Sequence, residues 1–557
     1  MFDRIADALE LKGEAIFRVN AYRRAARIMR DLTEDVEQVR SEGRLLDIPG
    51  VGEGTGKKIE EYLNTGEMRK YAEVTRGINE ELLDMLSIQG LGPKTLKLAH
   101  DSLGVNGLED LKKVIEDGTL QELPRMGVKK VENIRRGIEL FERSKGRIPL
   151  GVALPIAERV MEALSGERSV KHMSAAGSLR RMVETVGDID ILAAGSRGGE
   201  IIEAFTRMPS VTDVLAAGDT RGSVLIDGET QVDMRVVKTS EYGAALQYFT
   251  GSKAHNVKLR GMAGTMGMKL SEYGVFRGEK RIAGKTEEDV YRALGLPFIP
   301  PELREDRGEI EAAQENRLPD LVLFEDVVGD LHVHSNYSDG ADSIEKLAQA
   351  AASSGLEYIA ICDHSKSAQY AGGIDEGVLR SQMEEIERIN RKVRPFRVLK
   401  GIEVDILKDG TLDLADEILD QLDIVVASVH MGFRQNVTGR MVRAMENPRV
   451  KVICHPTGRL ISRREGYDVD LDTVMETAAS TGTALEINAY FDRLDLNDVN
   501  VKKARDMGVL FSIGTDSHSV ETLWYRALGV GVARRGWLRK KDLLNCLSAD
   551  QVASLRK

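Results

Sequence analysis

Past residue 330 the chain alternates seven times between a short apolar run and a helical stretch. The runs begin near Leu331, Tyr358, Val398, Ile424, Val452, Ala484 and Leu510. Few patterns restrict a fold as tightly. Strands separated by helices cannot pair as hairpins, so they lie parallel with the helices crossing between them. Seven such units close most simply into a barrel, and in barrels of this type chemistry gathers where the strands end. His332, His334 and Asp339 follow the first run, His364 follows the second, and Glu403 sits in the third. His430 and His455 end the fourth and fifth, and Asp516 and His518 end the seventh. The chain has nine histidines, and the six beyond residue 330 all fall at these ends. One histidine there is most simply a core residue with satisfied ring nitrogens. Six in register with three acids predict a metal centre of two or three ions, and the ligand types suit Zn²⁺, Mn²⁺ or Fe²⁺. Such a cluster converts water to hydroxide and clamps both oxygens of a phosphate displacement. Glu486 and Asn488, which end the sixth run, are expected to support the ligands, and Lys366 and Arg459 to steady a phosphate.

A second constellation lies in residues 176–192, AGSLRRMVETVGDIDIL. Gly177 lets the backbone approach a phosphate closely, Ser178 offers a hydroxyl, and Arg180 and Arg181 offer charge. Asp188 and Asp190 follow in a β-branched run. Side chains two apart share one face of an extended strand, so both carboxylates project together while Ile189 faces the core. Adjacent carboxylates repel unless a cation sits between them, and hard ions such as Mg²⁺ take oxygen ligands and keep substrate phosphates as partners. Asp233 is a third acid. In TQVDMRVV the apolar Val232, Met234 and Val236 alternate with Gln231, Asp233 and Arg235, which reads as a strand with one polar face. Three carboxylates on adjacent strands suit two-metal phosphoryl transfer. The alternative is a plain hairpin with surface acids and a capping serine, because a lone DxD is common.

This region resembles the nucleotidyltransferase palm of the family X DNA polymerases, the DNA polymerase beta family. The similarity continues into Tyr248, Phe249, Thr250, Gly251 and Ser252, then Asn256 and Arg260, and it covers about residues 1–315. It implies an α+β palm over 146–240 and a nucleotide-pocket subdomain over 241–315, helical with a strand-rich piece at 261–284. It also implies that Asp188, Asp190 and Asp233 are the catalytic acids and hold Mg²⁺ or Mn²⁺. Ser178, Arg181 and Gly187 would meet the incoming triphosphate, with Gly177 and Gly251 completing the nucleotide-binding set. Tyr248 and Phe249 would flank the sugar and Asn256 the base edge, with Arg260 near the template.

Residues 1–80 and 81–145 read as two helical units. On one helix Ile16, Tyr22, Ala25, Ile28 and Met29 form an apolar stripe. Arg18, Arg23, Arg24, Arg27 and Arg30 form a basic one, either solvated or facing phosphate. A Gly-x-Gly hairpin leads into a lysine-bearing helix at Gly50 and Gly52, again at Gly90 and Gly92, and in a weaker copy at Gly127. Such hairpins expose backbone N–H groups at a helix N-terminus, a natural phosphate site. They resemble helix-hairpin-helix elements, which grip the DNA backbone without reading sequence, so binding should weaken steeply with salt. In the family resembled, the first unit carries a lysine that attacks a 5′-deoxyribose phosphate. Lys58 falls at that place, with Tyr22 and Arg18 as phosphate support. Lys57 is a rival in the register, and a plain phosphate contact is the rival role.

At 557 residues the chain implies three or four domains. A net charge of −11 sits badly with a nucleic-acid partner, yet its distribution outweighs the sum. Residues 251–282 hold seven Lys or Arg against two acids. No run reaches the ~18 apolar residues of a membrane span, and the N-terminal stretch does not read as a signal peptide. Three cysteines, far apart, fit a reducing cytoplasm. Cys362 and Cys454 lie in apolar runs and read as small buried hydrophobes.

The segments HVHSNYSDG, CDHS, GIEVDI, SVH, CHP and GTDSH resemble the PHP (polymerase and histidinol phosphatase) superfamily, with each of its nine ligand positions filled. Residues 330–557 are then a distorted (β/α)7 barrel, joined to the first half by a linker at 316–329. The whole resembles the bacterial and archaeal family X polymerase with a C-terminal PHP domain. The expectation is a multidomain, monomeric, cytoplasmic enzyme that takes dNTPs and gapped or nicked DNA and fills short gaps in repair. Its PHP domain would act as a 3′–5′ exonuclease, with abasic-site or 3′-phosphate cleavage as further reactions. Three rivals remain. One is a small-molecule phosphoesterase tethered to nucleic acid, another a template-independent nucleotidyltransferase, and the third a DNA-end scaffold with both sites idle.

Overall fold

The computed structural model describes residues 1–555 apart from 32–35, 42, 49, 50, 77, 89, 90, 145 and 229. Helices from Phe2–Leu11 to Val128–Ser144 pack around a single core in which Ile5, Met85, Leu91, Leu96, Leu111 and Ile134 are buried. The two helical units read from the sequence thus share one hydrophobic centre. Gly52 caps the helix Glu53–Thr65, and Gly92 caps Pro93–Leu103. Pro93 opens the latter at a position where a missing N–H costs nothing. Gly50 and Gly90 lie outside the described residues.

The palm is a five-stranded sheet of β1 (His172–Ala175), β2 (Ile189–Ala194), β3 (Val211–Ala217), β4 (Arg221–Ile226) and β5 (Thr230–Val237), in the order β1-β2-β5-β4-β3. Only β2 and β5 pair in parallel. On β5 the alternating Val232, Met234 and Val236 are buried in one cluster with Ile156, Ile201 and Phe205 from the helices Leu150–Leu164 and Gly198–Thr206. Burial of each such side chain stabilises the sheet by about 1.5–3 kcal/mol, and it turns Asp233 to the opposite face.

The next subdomain combines the helices Tyr242–Thr250, Lys253–Thr265 and Glu287–Ala293 with an antiparallel meander, β6 (Lys269–Ser271), β7 (Gly274–Arg277) and β8 (Lys280–Ala283). The strand-rich piece therefore starts later than the sequence suggests. Residues 261–265 continue the helix, where Ala263 is buried in the core, and the chain turns at Gly267 with φ +70°. Arg180 donates to Thr250 Oγ1 at 2.7 Å and to both oxygens of Glu287 at 2.9 and 2.6 Å. Glu287 also accepts from the fully buried Arg304 at 2.7 Å. Arg180 thus ties the palm to this subdomain and is not available to a triphosphate.

The seven barrel strands are β9 (Gly329–Val333), β10 (Tyr358–Ile361), β11 (Arg397–Asp405), β12 (Ile424–Ser428), β13 (Val452–Ile453), β14 (Ala484–Asn488) and β15 (Phe511–Gly514). They pair in chain order, all parallel. The first and last meet just past their C-terminal ends, where His334 N donates to Ser517 O at 2.8 Å and Asp516 N to His332 O at 2.9 Å. Lower down the Asn545 side chain fills the seam. It accepts from Ile513 N at 2.6 Å and donates to Gly329 O and Ile513 O at 2.9 and 2.7 Å. The linker lies against this domain, with Val322 N on Leu538 O at 3.0 Å and Val327 buried. The palm packs on it too. A Cβ on Gly151 would stand 2.5 Å from Phe491 Cβ, and Arg535 donates to Arg181 O at 2.7 Å and Glu305 at 2.9 Å.

Candidate active sites

At the C-terminal end of the barrel the nine predicted ligands converge. His334, Asp339, His364 and His518 form one group with ligand atoms within 4.8 Å of one another; His332, His334 and Asp516 form a second, and His364, Glu403 and His430 a third. Glu403 lies at the centre. Its carboxylate is 2.7 Å from His364 Nδ1, 3.2 Å from His430 Nε2 and 3.0 Å from His455 Nε2. Several rings are aimed by their other nitrogen: His332 Nδ1 on Glu486 Oε1 at 2.7 Å, His430 Nδ1 on Asp405 Oδ1 at 2.8 Å, and His518 Nδ1 on Asp516 O at 2.8 Å. This arrangement fixes the tautomer and raises ligand basicity.

The residues fit a metal centre. Glu403 Oε2, His334 Nδ1, His364 Nδ1 and His455 Nδ1 are buried without a hydrogen bond. The 2.7 Å approach of His364 Nδ1 to Glu403 Oε2 lacks hydrogen-bond geometry, as expected of two donor atoms facing one cation. Burial together with His518 and His364 pushes His334 down to about 3, and burial together with Arg493 takes His455 to about 4. Both rings are therefore neutral, with lone pairs to offer. Burial alone would lower His430, yet Glu403 and Asp405 outweigh it and raise it to about 10. Glu403 is held well below the usual carboxylate range despite its burial, by His430, His364 and His332. Cys454 is buried beside Glu403, and its thiol donates to Oε1 at 3.2 Å. Burial and Glu403 push that thiol well up, so it packs as a protonated side chain.

The mouth of this cluster is a cavity of about 650 Å³. Asp3, Asp7 and Arg23 of the N-terminal helices wall it on one side, and Arg463, Arg464 and Arg493 line it from the barrel loops. The two cations singled out in the sequence are placed otherwise. Lys366 is exposed and outside the lining, and Arg459 is taken up by Glu184 Oε2 at 2.7 Å and Leu494 O at 2.5 Å, against the palm.

In the palm, Asp190 on β2 stands directly opposite Asp233 on β5, and Asp188 lies just before β2, exposed. Gly177 packs so tightly against them that a Cβ there would meet Asp190 Oδ2 at 2.3 Å. Burial, then repulsion from Asp188 and Asp233, raises Asp190 to about 6. Asp233 Oδ1 is buried with no hydrogen bond, and its Oδ2 accepts from Gln231 at 3.0 Å. Three crowded carboxylates with one orphaned oxygen fit a divalent cation.

Ser178 is half-buried in the short helix Gly177–Arg180, and Gly187 is exposed beside Asp188. Arg181 donates to Glu305 at 3.0 Å and to Thr250 O at 2.6 Å, so a triphosphate would have to compete for it. A Cβ on Gly251 would come within 3.1 Å of the Arg181 guanidinium. Tyr248 and Phe249 stand edge to face at 5.1 Å, with Arg235 4.6 Å over Phe249. Asn256 donates to Tyr248 O at 2.7 Å and accepts from Gln247 at 2.7 Å, which fixes its amide at the back of this segment. Arg260 and Tyr248 line a cleft of about 410 Å³ with Lys269 of β6.

A separate cavity in the N-terminal helices is lined by Arg18, Tyr22, Thr55, Lys58 and Lys70. Lys58 Nζ donates to Gly54 O at 2.8 Å and lies 5.6 Å over the Tyr22 ring. Lys57 is outside this lining and faces Glu53 at 4.0 Å.

A carboxylate-bearing palm fused to an imidazole-rich barrel defines a two-centre enzyme of phosphate chemistry. Family models match in four places: a helix-hairpin-helix domain over residues 1–68, a SAM-like helix-hairpin-helix tandem over 82–139, a DNA polymerase beta thumb over 245–305 and a PHP domain over 330–468. The chain is 39% identical to the DNA polymerase/3′-5′ exonuclease PolX of Bacillus subtilis over its full length and 98% of that protein. It is 26% identical to DNA polymerase lambda of Rattus norvegicus over 54% of each chain. Over 28% of its length it is 36% identical to a probable phosphatase of Syntrophotalea carbinolica, of which that stretch covers 64%. The chain belongs to the family X DNA polymerases that carry a C-terminal PHP domain.

Sequence reasoning missed Asp405, Arg463, Arg464 and Arg493. Asp405 was findable, because Glu403 and Asp405 have the same spacing of two as Asp188 and Asp190, so a strand presents both to one face. The arginines carried no comparable signal. They sit in irregular return loops, where spacing does not set direction.

Proposed function

We infer that the protein is a DNA polymerase with a 3′–5′ exonuclease in its PHP domain. The observation that carries this is the occurrence, in one chain alike over its full length to the Bacillus subtilis PolX, of two complete acidic or imidazole clusters, each with buried donor atoms lacking a partner. In the polymerase centre Asp188, Asp190 and Asp233 hold Mg²⁺ or Mn²⁺, and the ions, when bound, activate the attacking 3′ oxygen and stabilise the leaving phosphate. Gly177 sets the position of the Asp190 carboxylate. Ser178, Arg181, Gly187 and Gly251 surround the triphosphate; Tyr248 and Phe249 flank the sugar, with Asn256 at the base edge and Arg260 toward the template. Gly50, Gly52, Gly90 and Gly92 grip the backbone of gapped or nicked DNA.

In the PHP centre His332, His334, Asp339, His364, Glu403, His430, His455, Asp516 and His518 would hold two or three Zn²⁺, Mn²⁺ or Fe²⁺ ions, whose chemistry, when bound, would be the activation of water for attack on phosphorus. Glu486 and Asp405 orient the imidazoles, and the cavity arginines attract the phosphodiester. Lys58 is the residue of choice for a 5′-deoxyribose-phosphate lyase, supported by its place in a cavity with Arg18 and Tyr22. The enzyme acts as a monomer in the cytoplasm. No helix among the described residues is long and apolar enough to cross a membrane, and the three cysteines are free thiols.

The test uses 5′-labelled gapped DNA with Mn²⁺, with and without dNTPs. Asp190→Ala should abolish lengthening and keep shortening, and the double variant His332→Ala, His334→Ala should do the reverse. Lengthening by Asp190→Ala would sink the palm assignment. Metal analysis should find two or three ions per chain beyond those of the palm, lost in the double variant. A second reading, hydrolysis of small phosphate esters, is favoured by the 36% identity of 28% of the chain to a probable phosphatase. Competition of a small phosphate monoester against DNA distinguishes it.

A further inference from the structure

We propose that Tyr370 is a stacking ledge for the last base of the strand presented to the PHP centre, and that it selects nucleic-acid ends over small phosphate esters. The proposal rests on the exonuclease reading for the identity of that strand.

Tyr370 sits in the 3-10 turn Gln369–Ala371, in the loop that follows His364. The turn is pinned from below. Ala368 and Ala371 are 1% and 2% exposed, Gly373 N donates to Ala368 O at 3.1 Å, and Ile374 N donates to His364 O at 2.8 Å. Gly373 itself lies so close to the chain that a Cβ would meet Ser365 O at 2.0 Å. Tyr370 as a residue, by contrast, is 67% exposed. A fixed turn therefore holds an uncovered aromatic ring at the lip of the metal-ligand cluster. Its centroid is 6.2 Å from the His430 ring and 6.3 Å from the His364 ring.

The rest of the mouth is mixed: Asp3, Asp7 and Asp84 of the N-terminal helices face it on one side, and arginines face it from the barrel loops. Arg463, Arg464 and Arg493 line the same cavity. Arg493 Nε is 3.7 Å from Asp516, and Arg463 is half-exposed, 3.7 Å from Asp492. Cations for a phosphate backbone beside an open aromatic face are the two parts of a single-strand site that reads no sequence, because every base has a π-face. A small phosphate ester uses the cations alone. A strand end uses the cations and the ring, and the gain from stacking is spent on holding the terminal phosphodiester against the ligands.

The test compares wild type, Tyr370→Ala and Tyr370→Phe in the full chain. With Mn²⁺, Tyr370→Ala should raise KM for a single-stranded oligonucleotide roughly 5- to 150-fold, the effect of losing one base–aromatic stack. Its turnover of bis(p-nitrophenyl) phosphate should stay unchanged, and Tyr370→Phe should behave as wild type on both substrates. With Mn²⁺ kept and a cleavage-resistant methylphosphonate as the terminal linkage, a 3′-terminal 2-aminopurine should be quenched on binding by wild type and Tyr370→Phe but not by Tyr370→Ala. Equal losses on both substrates, or a Phe variant that behaves as Ala, would overturn the proposal, as would identical quenching by all three proteins. Quenching that depends on the ring, without shortening of DNA by wild type, would remove the exonuclease reading and leave the ledge standing.

Discussion

Gly177→Ala is the sharpest perturbation of the polymerase centre, because one methyl group acts through two independent costs. The residue has φ +59°, in the left-handed region that costs a residue with a Cβ about 1–2 kcal/mol. The new Cβ would also stand 2.3 Å from Asp190 Oδ2, so the carboxylate must retreat by about 1 Å to regain ordinary contact. Misplacement of a reacting group by that distance costs on the order of 10²-fold in rate, or about 2.7 kcal/mol of barrier. The expected outcome is a gap-filling kcat lowered ~100-fold, with the protein destabilised by only about 1–2 kcal/mol. Shortening of the same labelled DNA by the PHP centre in the same preparation should be unchanged, which separates a local effect from misfolding. A variant that fills gaps within twofold of wild type would refute the reasoning, since Asp190 would then not need the position that Gly177 gives it.

Three further outcomes follow from buried groups. Glu287→Ala leaves the fully buried Arg304 without its carboxylate and releases Arg180; a loss of roughly 3–5 kcal/mol is expected, measured by urea unfolding and by hydrogen exchange of the helix Tyr242–Thr250. Burial holds His255 below its usual value, more than its Glu309 hydrogen bond at 2.6 Å can offset. The unfolded chain then takes up this proton first, so stability is present above pH ~6.5 and falls as the pH drops below it; His255→Gln should show a shallower fall in melting temperature between pH 8 and 5. Stripping the PHP ions with a chelator should destabilise the barrel, and restoring Mn²⁺ to 100 times its dissociation constant should return about 2.7 kcal/mol, read from denaturant midpoints; an unchanged midpoint would contradict a resident metal.

How legible each part was depends on the range of the interaction that places it. The convergence of the barrel histidines and acids could be read because each lies at or near the C-terminal end of a strand, and a parallel barrel brings those ends to one rim whatever the loops do. Asp190 and Asp233 could be read because alternation on β2 and β5 sets their faces. The partners of Arg180 and Arg459 could not. Arg180 ends on Glu287, 107 residues away, and Arg459 on Glu184, 275 residues away, and nothing local in either motif encodes those partners. The start of the strand-rich piece was misjudged for the same reason, since burial of Ala263 carried the helix through glycines that propensity alone would read as its end.

By itself, then, the sequence determined the kinds of element, the faces of the strands and the identities of the chemical groups, all of which follow from periods of a few residues. Only the tertiary structure decided which cations line the PHP cavity and which are consumed as ties between domains. It also decided that Asn545 seals the barrel seam, and that the N-terminal helices wall the PHP cavity. Those outcomes are set by distance in space between side chains remote in the chain, and a buried polar group binds whichever partner the packing brings within reach.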